Sequence, residues 1–333
     1  MLQINRLISS KERGKNEEET ISRQFDETST ELNLTRLRIQ RVSGFENLPN
    51  LQSLTIRWNL LKKIDSFQCL DKLTYLNLND NQIGKLENLE TLVNLEYLDV
   101  SYNRIAKLEG LETLVKLKEL HTVHNKITVL EGLDTLTQLE YLELGDNRIK
   151  KIENLEMLTN LKRLFLGANQ IRKIEGLDCL SNLVELSLPG NALTVLEGLD
   201  TLPRLRSLSV AQNGVSKIDG LGNLVSLVSL DLNDNRIDKM ENVEQFKNIN
   251  NLMIRNNKFD NFEEIHQLCV LKDLKSLSME LNPLYKKPEY RERILQILPN
   301  IKILDGMPTT WIPGDPFQEL PKDFFDTLDV LLQ

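Results

Sequence analysis

Hydrophobic residues recur at fixed positions, in units of 22 residues, through most of this chain. Residues 139–160 show the pattern in full as L-x-x-L-x-L-x-x-N-x-I-x-x-I-x-x-L-x-x-L. Repetition at a constant period of this length is typical of a solenoid, in which each turn buries its apolar residues against the next. Units begin, with no insertion or deletion between them, at Ser29, Leu51, Leu73, Leu95, Leu117, Leu139, Leu161, Leu183, Leu205 and Leu227.

The L-x-L segment of each unit is predicted to form a short strand. Alternate side chains of a strand point to opposite faces, so the leucines would enter the core and the residue between them would point outward. The pattern predicts an α/β fold: a leucine-rich-repeat solenoid of about twelve 22-residue units. Its parallel sheet would be curved and concave, with short 3₁₀ or helical turns on the convex side.

An asparagine follows each predicted strand from the second unit onward. A buried amide in this position can satisfy the backbone groups of the loop that leaves the strand. On the convex side, I-E-N-L at 152–155 and I-E-G-L at 174–177 place Asn or Gly where a tight turn is needed. The predicted asparagine ladder consists of Asn59, Asn81, Asn103, Asn125, Asn147, Asn169, Asn191, Asn213, Asn235, Asn257 and Asn282.

The repeat boundaries divide the chain into four predicted parts. Residues 1–28 are polar, charged and outside the repeat, which predicts a flexible N-terminal segment. The solenoid is predicted to cover residues 29–282, and residues 283–305 are predicted to form a C-terminal leucine-rich-repeat cap. Residues 306–333 would then be a C-terminal extension.

The end of a solenoid must be covered, because a terminal turn would otherwise expose its apolar face to water. In the predicted cap, Pro288 suits the start of a helix that places Tyr290, Ile294 and Ile297 on one face. A second short helix is predicted at 324–332, either as a further lid on the cap or as a helix that binds a partner.

The chain has a formal net charge of −8 and a pI of about 5.2. Phosphate binding depends on Lys and Arg, so this charge disfavours a nucleic-acid partner and favours a partner with a basic surface. No segment resembles a signal peptide or is apolar enough to span a bilayer. The three cysteines form no closely spaced set, as a reducing cytosol or nucleus allows.

The residues expected on the concave face include six acids and, besides histidine, one base. Repulsion among like charges costs stability, so this bias favours recognition of a partner over a role in folding. Tyr97, Tyr141 and Phe165 lie among the acids, and such groups together are typical of binding hot spots. The alternative is that the acids are simply solvated and the tyrosines pack along the sheet.

Asp99, His121 and Glu143 are expected side by side on neighbouring strands, which raises the question of catalysis. No nucleophile elbow, Gly-rich phosphate loop or metal-ligand motif accompanies them, and an open face excludes water poorly. The sequence therefore predicts neither an enzyme nor a metal or cofactor site, although His121 and His124 with Glu143 form a weak metal set. Because His121 lies between two acids, pH-sensitive binding is an alternative role.

The end of the repeat region carries a more specific pattern, N-P-L-Y-x-x-P-x-Y-R…L-P-x-I-x-x-L-D, within residues 282–305. Together with the uniform units and the I-E-G/N-L turn, it resembles the leucine-rich-repeat regulatory subunit of protein phosphatase 1. This is the sds-twenty-two family, regulatory subunit seven, and the resemblance covers about residues 29–305.

The resemblance implies a non-catalytic subunit that binds the catalytic subunit of protein phosphatase 1 through its concave face. It implies control of the activity, maturation or localisation of the phosphatase in mitotic and nuclear dephosphorylation, and a location in the nucleus and cytoplasm. A further inhibitory subunit is an implied second partner, and the chain alone would be a monomer. From the charge and the lack of an apolar span, neither a nucleic acid nor a membrane is expected as a partner.

By this resemblance, Asp99, Glu143, Phe165 and Asp231 keep the residue type that the family uses for contacts with the phosphatase. Other contact positions depart from it: the family tends to have large aromatics at His121 and Met253, an acid at Asn251 and a tyrosine at Ser278. The predicted partner-binding residues are Tyr97, Asp99, His121, Tyr141, Glu143, Phe165, Asp231, Asn251, Met253 and Ser278.

A structural adaptor, either a spliceosomal leucine-rich subunit or a ciliary scaffold, is the alternative function. A spliceosomal relative would have about half as many repeats, and a ciliary scaffold would typically add a coiled coil. The number of repeats in this sequence favours the phosphatase subunit.

Overall fold

The computed structural model describes residues 1–9 and 16–310. They fall into two compact units, residues 1–170 and residues from 171 onward. Each unit is built from three-residue parallel strands whose central leucine is buried, followed by a turn that returns along the opposite side. The leucine-rich-repeat solenoid predicted from the 22-residue period is confirmed.

In the N-terminal unit, neighbouring parallel strands pair with a register offset of one repeat, so equivalent residues lie side by side; Tyr75 pairs with Tyr97, for example. The strands are β1 (Leu2–Ser9), β2 (Asn16–Arg23), β3 (Glu31–Asn33), β4 (Ile39–Ser43), β5 (Ser53–Thr55), β6 (Tyr75–Asn77), β7 (Tyr97–Asp99), β8 (Glu119–His121), β9 (Tyr141–Glu143) and β10 (Arg163–Phe165). The parallel sheet runs in the order β3, β5, β6, β7, β8, β9 and β10.

The C-terminal unit continues the same architecture and ends in a short antiparallel pair. Its strands are β11 (Glu185–Ser187), β12 (Ser207–Ser209), β13 (Ser229–Asp231), β14 (Asn251–Met253), β15 (Ser276–Ser278), β16 (Ile303–Leu304) and β17 (Met307–Pro308). Its two α-helices are α1 (Glu263–His266) and α2 (Tyr290–Ile297).

The return segments are short turns closed by hydrogen bonds of the 3₁₀ type, as the sequence predicted. In a typical 22-residue repeat they form two successive tight turns. Leu92 donates its N–H to the carbonyl of Leu89, and Leu95 donates to the carbonyl of Leu92, both at 2.9 Å. Within the described residues, 3₁₀ helices occur at Phe45–Asn47, Gln267–Val270 and Pro283–Lys286. A 22-residue unit leaves little chain for a longer helix once the strand and the two loops are built.

In the described part of the N-terminal segment, strands form where a flexible segment was predicted for residues 1–28. Strands β1 and β2 pair antiparallel, and β1 also pairs with β4. Leu2 and Ile4 are buried, together with Ile39 and Val42 of β4. Leu2 and Ile4 alternate along β1 and so point to the same side of it, a pairing that the polar composition of the segment did not reveal.

The C-terminal cap is organised around Asp305. Its carboxylate accepts backbone N–H groups from Met279 and Glu280, at 2.8 and 3.1 Å, and the hydroxyl of Tyr290 at 2.8 Å. Burial, together with the charge of Asp305, raises the pKa of Tyr290, so the phenol stays a neutral donor. Tyr290 and Ile294 of α2 are buried as predicted. The helix predicted at 324–332 lies outside the described residues.

The asparagine ladder has the role predicted for it. The Asn147 Oδ1 atom accepts the N–H of Ile127 at 3.0 Å. Its Nδ2 atom donates to carbonyls of Thr122, Leu144 and Gly145 at 3.0, 3.0 and 3.1 Å. One side chain thus satisfies backbone groups of its own turn and of the preceding one.

The convex turn uses Gly and Asn for different reasons. Gly132 has φ 67°, and a Cβ atom there would lie 2.2 Å from the carbonyl oxygen of Leu108, so any other residue would require the backbone to shift. Asn154 occupies the equivalent place with φ 59°, and its Nδ2 donates to the carbonyl of Leu130 at 2.6 Å. Where glycine only avoids a clash with the preceding 22-residue repeat, the asparagine side chain forms a hydrogen bond to it.

A second left-handed position lies where each strand turns into the loop. The N–H of this residue donates to the next turn, as Trp58 does to the carbonyl of Asn79 at 2.9 Å. We call these residues the rim row. It consists of Arg36, Trp58, Asp80, Tyr102, His124, Asp146, Ala168, Gly190, Gln212, Asp234 and Asn256, with φ between 50° and 65°.

Among the described residues, no helix is long and apolar enough to cross a membrane. Cys69, Cys179 and Cys269 are free thiols at the surface.

Replacing Asn147 by alanine is expected to lower the free energy of unfolding by about 1–3 kcal/mol, because the buried Ile127 N–H and two or three carbonyls lose their partner. The measurement is urea denaturation followed by circular dichroism. Asn160→Ala is the control, since Asn160 is exposed and donates one bond, to Thr137. Equal unfolding midpoints for the two variants would contradict the ladder role.

Candidate partner-binding site

The exposed side of the strands presents two side chains per strand, the first and the third residue, because the central leucine points into the core. We call this surface the strand face. In the N-terminal unit it carries large aromatic and charged residues, most of them half-buried by their neighbours.

Five rings of the N-terminal unit form a continuous aromatic ladder across β6 to β10. Tyr75 and Tyr97 stack at 4.3 Å between centroids, with an interplanar angle of 10°. His121 lies 5.0 Å from Tyr97 and 4.6 Å from Tyr141, and Phe165 lies 5.1 Å from Tyr141. Neighbouring strands are about 4.8 Å apart, so the strand spacing itself brings the rings into contact.

His121 is held between two acids in the middle of this ladder. Its Nδ1 atom lies 3.2 Å from Oε2 of Glu143, and its Nε2 atom lies 3.3 Å from Oε2 of Glu119. The hydroxyl of Tyr141 donates to the same Glu143 oxygen at 3.0 Å. The aromatic ladder thus contains one histidine with an acid on each side.

These contacts shift the ionisation of the pair. Burial alone would lower the pKa of His121, but its hydrogen bonds to Glu143 and Glu119 and the nearby charge of Asp99 outweigh burial and raise that pKa. The hydrogen bond from His121 lowers the pKa of Glu143, against the opposing effect of burial. The contacts therefore favour the protonated imidazole of His121 and the ionised carboxylate of Glu143.

Burial is also the main reason that the pKa values of Tyr97 and Tyr141 are raised, with the charges of Asp99 and Glu143 adding to it. Both phenols stay neutral. Asp99, predicted as a contact residue, is largely buried and accepts the N–H of Ser101 at 2.9 Å. Asp99 therefore acts on the surface through its charge more than through exposed atoms.

In the C-terminal unit the strand face is built from smaller residues. Asp231 is half-buried and accepts the hydroxyl of Ser209 at 3.1 Å and the N–H of Asn233 at 3.0 Å. Burial raises the pKa of Asp231. This carboxylate already has two hydrogen-bond donors from its own unit.

The other three predicted contact residues of this unit differ in exposure. Met253 and Ser278 are half-buried on the third positions of β14 and β15. Asn251 is buried, on a strand that pairs with a neighbour on each side, so it is less accessible than predicted. The structure brings Tyr97, Asp99, His121, Tyr141, Glu143 and Phe165 together in the N-terminal unit, whereas Asp231, Asn251, Met253 and Ser278 belong to the C-terminal unit.

Three further residues belong to the N-terminal cluster without having been predicted as contacts. Tyr75 begins the ladder, Glu119 pairs with His121, and the guanidinium of Arg163 lies 5.0 Å from the ring of Tyr141. The signal was present in the sequence, since Tyr75, Tyr97, Glu119, Tyr141 and Arg163 are spaced by whole repeats. Spacing gives adjacency, but which neighbours pair depends on side-chain rotamers.

Within residues 1–9 and 16–310, no group of three or more His, Cys, Asp or Glu side chains is arranged to hold a metal ion. His124, the other member of the predicted weak metal set, contacts Asp146 and stacks on Tyr102 in the rim row.

Two family models describe the repeats. One, a leucine-rich repeat, matches residues 113–217 and 208–308, which is more than half of the chain, and another matches residues 30–83. The chain belongs to the leucine-rich-repeat family. No curated protein matches it.

Solved structures share the architecture. An internalin, InlF, from Listeria monocytogenes superposes with a TM-score of 0.67 at 25% identity, over 84% of this chain and 87% of that one. A leucine-rich-repeat protein from Leptospira interrogans gives 0.63 at 25% identity, over 78% and 73%. Internalin C2 from Listeria monocytogenes gives 0.51 at 27% identity, over 57% and 82%.

Family and fold make this chain a protein-interaction scaffold, because leucine-rich-repeat solenoids are typically non-enzymatic and bind proteins on their extended surfaces. The aromatic and acidic strand face of the N-terminal unit is the candidate site for such binding.

The raised pKa of His121 predicts a pH-dependent contribution to stability. Stabilisation by protonated His121 is fully present below the unfolded pKa of about 6.5 and is lost as pH rises through the higher folded value. The difference in unfolding free energy between the native chain and His121→Gln is therefore expected to be larger at pH 6 than at pH 9.

An NMR titration of the His121 ring gives an independent reading. The midpoint is expected above about 6.5 in the native chain and lower in Glu143→Gln, which removes the charge but keeps the shape. A midpoint that is unchanged by Glu143→Gln would show that Glu143 does not raise the pKa of His121.

Proposed function

We propose that this chain is a non-catalytic regulatory subunit of protein phosphatase 1. It binds the catalytic subunit through the strand face and controls its activity, maturation or localisation in mitotic and nuclear dephosphorylation. The observation that carries the proposal is the aromatic ladder, in which five rings lie across successive strands of one unit. The rings are partly exposed, and acidic side chains lie beside them.

The chemistry of the ladder suits a folded protein partner with basic residues. Stacked rings offer rigid apolar area, and Glu119 and Glu143 remain partly exposed, with 44% and 30% of their side chains accessible. Aromatic anchors ringed by charges are typical of binding hot spots. The hydrogen bond from His121 favours the ionised form of Glu143 and gives this carboxylate a partner before binding.

Sequence supports the choice of partner. The N-P-L-Y-x-x-P-x-Y-R…L-P-x-I-x-x-L-D ending resembles the phosphatase regulatory family, and its Tyr290 and Asp305 are joined by a hydrogen bond in the observed cap. Asp99, Glu143, Phe165 and Asp231 keep the residue types which that family uses for contacts. The proposal extends to the nucleus and cytoplasm as location, and to a further inhibitory subunit as second partner.

The test is titration of the purified chain against the catalytic subunit of protein phosphatase 1, by calorimetry or surface plasmon resonance. The variant Glu119→Lys, Glu143→Lys, Phe165→Ala is expected to bind at least about 100-fold more weakly, because it reverses two charges and removes one ring of the ladder. Asp99 is left unchanged in this variant because its burial would make a loss of folding hard to separate from a loss of binding.

The matched control is Glu90→Lys, Glu156→Lys, Met157→Ala, which makes the same charge change with exposed residues of the return turns. Thermal denaturation of both variants verifies folding. Equal binding by both variants would overturn the strand face as the site. An absence of binding by the native chain would instead favour the structural adaptor, spliceosomal or ciliary.

A further inference from the structure

The N-terminal rim carries a cluster of positive charge on an acidic protein. Between residues 34 and 60 the chain has four arginines and one acid, Glu46, although its net charge is −8. Arg57 directly precedes Trp58, and Arg36 lies one repeat before Trp58, with Arg38 two residues after Arg36. Trp58 is itself exposed.

Two of the guanidinium groups pack on the same indole. The Cζ atom of Arg36 lies 3.7 Å from the centroid of the Trp58 ring, and that of Arg57 lies 4.2 Å from it. The arrangement follows from the repeat, since Arg36 and Trp58 hold the same rim position in successive turns and Arg36 donates its N–H to the carbonyl of Arg57 at 3.2 Å. We call Arg36, Arg57 and Trp58 the rim platform.

The charge of the platform is not neutralised. Among the described residues, neither Arg36 nor Arg57 forms an ion pair with a carboxylate, whereas Arg41 pairs with Asp65 at 3.3 Å. The Nε atom of Arg57 is buried and has no hydrogen-bond partner in this part of the chain. Two like charges on one ring repel each other, so an anion placed beside them would relieve the repulsion.

The extent of the platform limits what can bind. The next rim residue after Trp58 is Asp80, an exposed acid about one strand spacing, roughly 5 Å, further along. A long polyanion such as a nucleic acid would run onto this acid and those beyond it. A short segment with two or three carboxylates matches the positive stretch, with guanidinium groups suited to bind carboxylates in pairs of hydrogen bonds.

We propose that the rim platform is a second docking site, which binds a short acidic segment of a protein partner. Arg36 and Arg57 bind its carboxylates, and Trp58 supplies apolar contact area beside them. The site is separate from the strand face and does not require that the partner be protein phosphatase 1.

The probe is a fluorescein-labelled hexaglutamate peptide, titrated into the full-length chain at low salt and followed by fluorescence anisotropy. Arg36→Ser, Arg57→Ser is expected to weaken binding at least about tenfold, since charge-assisted hydrogen bonds are lost. The control is Arg104→Ser, Arg148→Ser, which removes the same charge from exposed arginines of the N-terminal unit and is expected to change binding less than twofold.

Trp58 provides a local readout. The chain has two tryptophans, so in a Trp311→Phe background the emission of Trp58 can be followed alone and is expected to change on addition of hexaglutamate. Arg36→Ser by itself, compared with Arg104→Ser, covers the case in which the loss of half-buried Arg57 disturbs folding. Its binding is again expected to be the weaker of the two.

Three results would overturn the proposal. One is equal binding of hexaglutamate by the platform variants and their controls, and another is the absence of any binding by the native chain. The third is tighter binding of a six-nucleotide oligo(dT) than of hexaglutamate, which would assign the platform to single-stranded nucleic acid. None of these outcomes bears on the strand face, so the two proposals succeed or fail separately.

Discussion

The side-chain amide of each ladder asparagine accepts a backbone N–H and donates to backbone carbonyls, and it thereby holds two successive turns at one fixed spacing. Strand pairing, ring contacts and rim contacts all depend on that spacing. Because Leu98 and Leu120 pair directly across β7 and β8, the residues on either side of them must also lie side by side. The surface chemistry is therefore set by the residues that occur at intervals of 22.

Elements governed by local rules could be predicted from the sequence. Strands, ladder and turns follow from residue type and position, and α2 follows from Pro288 and the apolar face that contains Tyr290 and Ile294. The pairing of β1 with β2 could not be predicted, because β1 also depends on β4, which lies more than thirty residues further along the chain. Composition describes a segment in isolation, whereas these strands form by pairing with residues that are distant in sequence.

The candidate site was predictable in part for the same reason. Periodicity placed Tyr97, Tyr141 and Phe165 on one face. The structure adds the contacts of His121 with both tyrosines and of Phe165 with Tyr141. Periodicity could not give exposure, and Asn251 is buried where an accessible residue was expected. Exposure depends on the size and rotamers of neighbouring side chains, which a repeat template does not specify.

The N-terminal strand face differs in chemistry from that of the C-terminal unit. In the first, His121 and its acids form a connected set of hydrogen bonds in which each charge has a partner. In the C-terminal unit, the strand face has small side chains at Ser187, Ser209 and Ser278, and Asp231 accepts a hydrogen bond from the neighbouring Ser209 hydroxyl. A surface of large aromatic side chains suits tight packing against a partner, whereas a surface of small polar side chains suits looser, hydrated contact.

The left-handed backbone of the rim row restricts how this protein can diversify. Most of these positions are exposed, and surface residues ordinarily vary freely, yet a positive φ disfavours side chains that branch at Cβ. No Val, Ile or Thr occurs among the eleven regularly spaced rim residues, which are otherwise chemically mixed. New specificity at the rim must therefore arise from a smaller set of residue types, in which long unbranched, aromatic and amide side chains are tolerated and β-branched ones are disfavoured by the backbone.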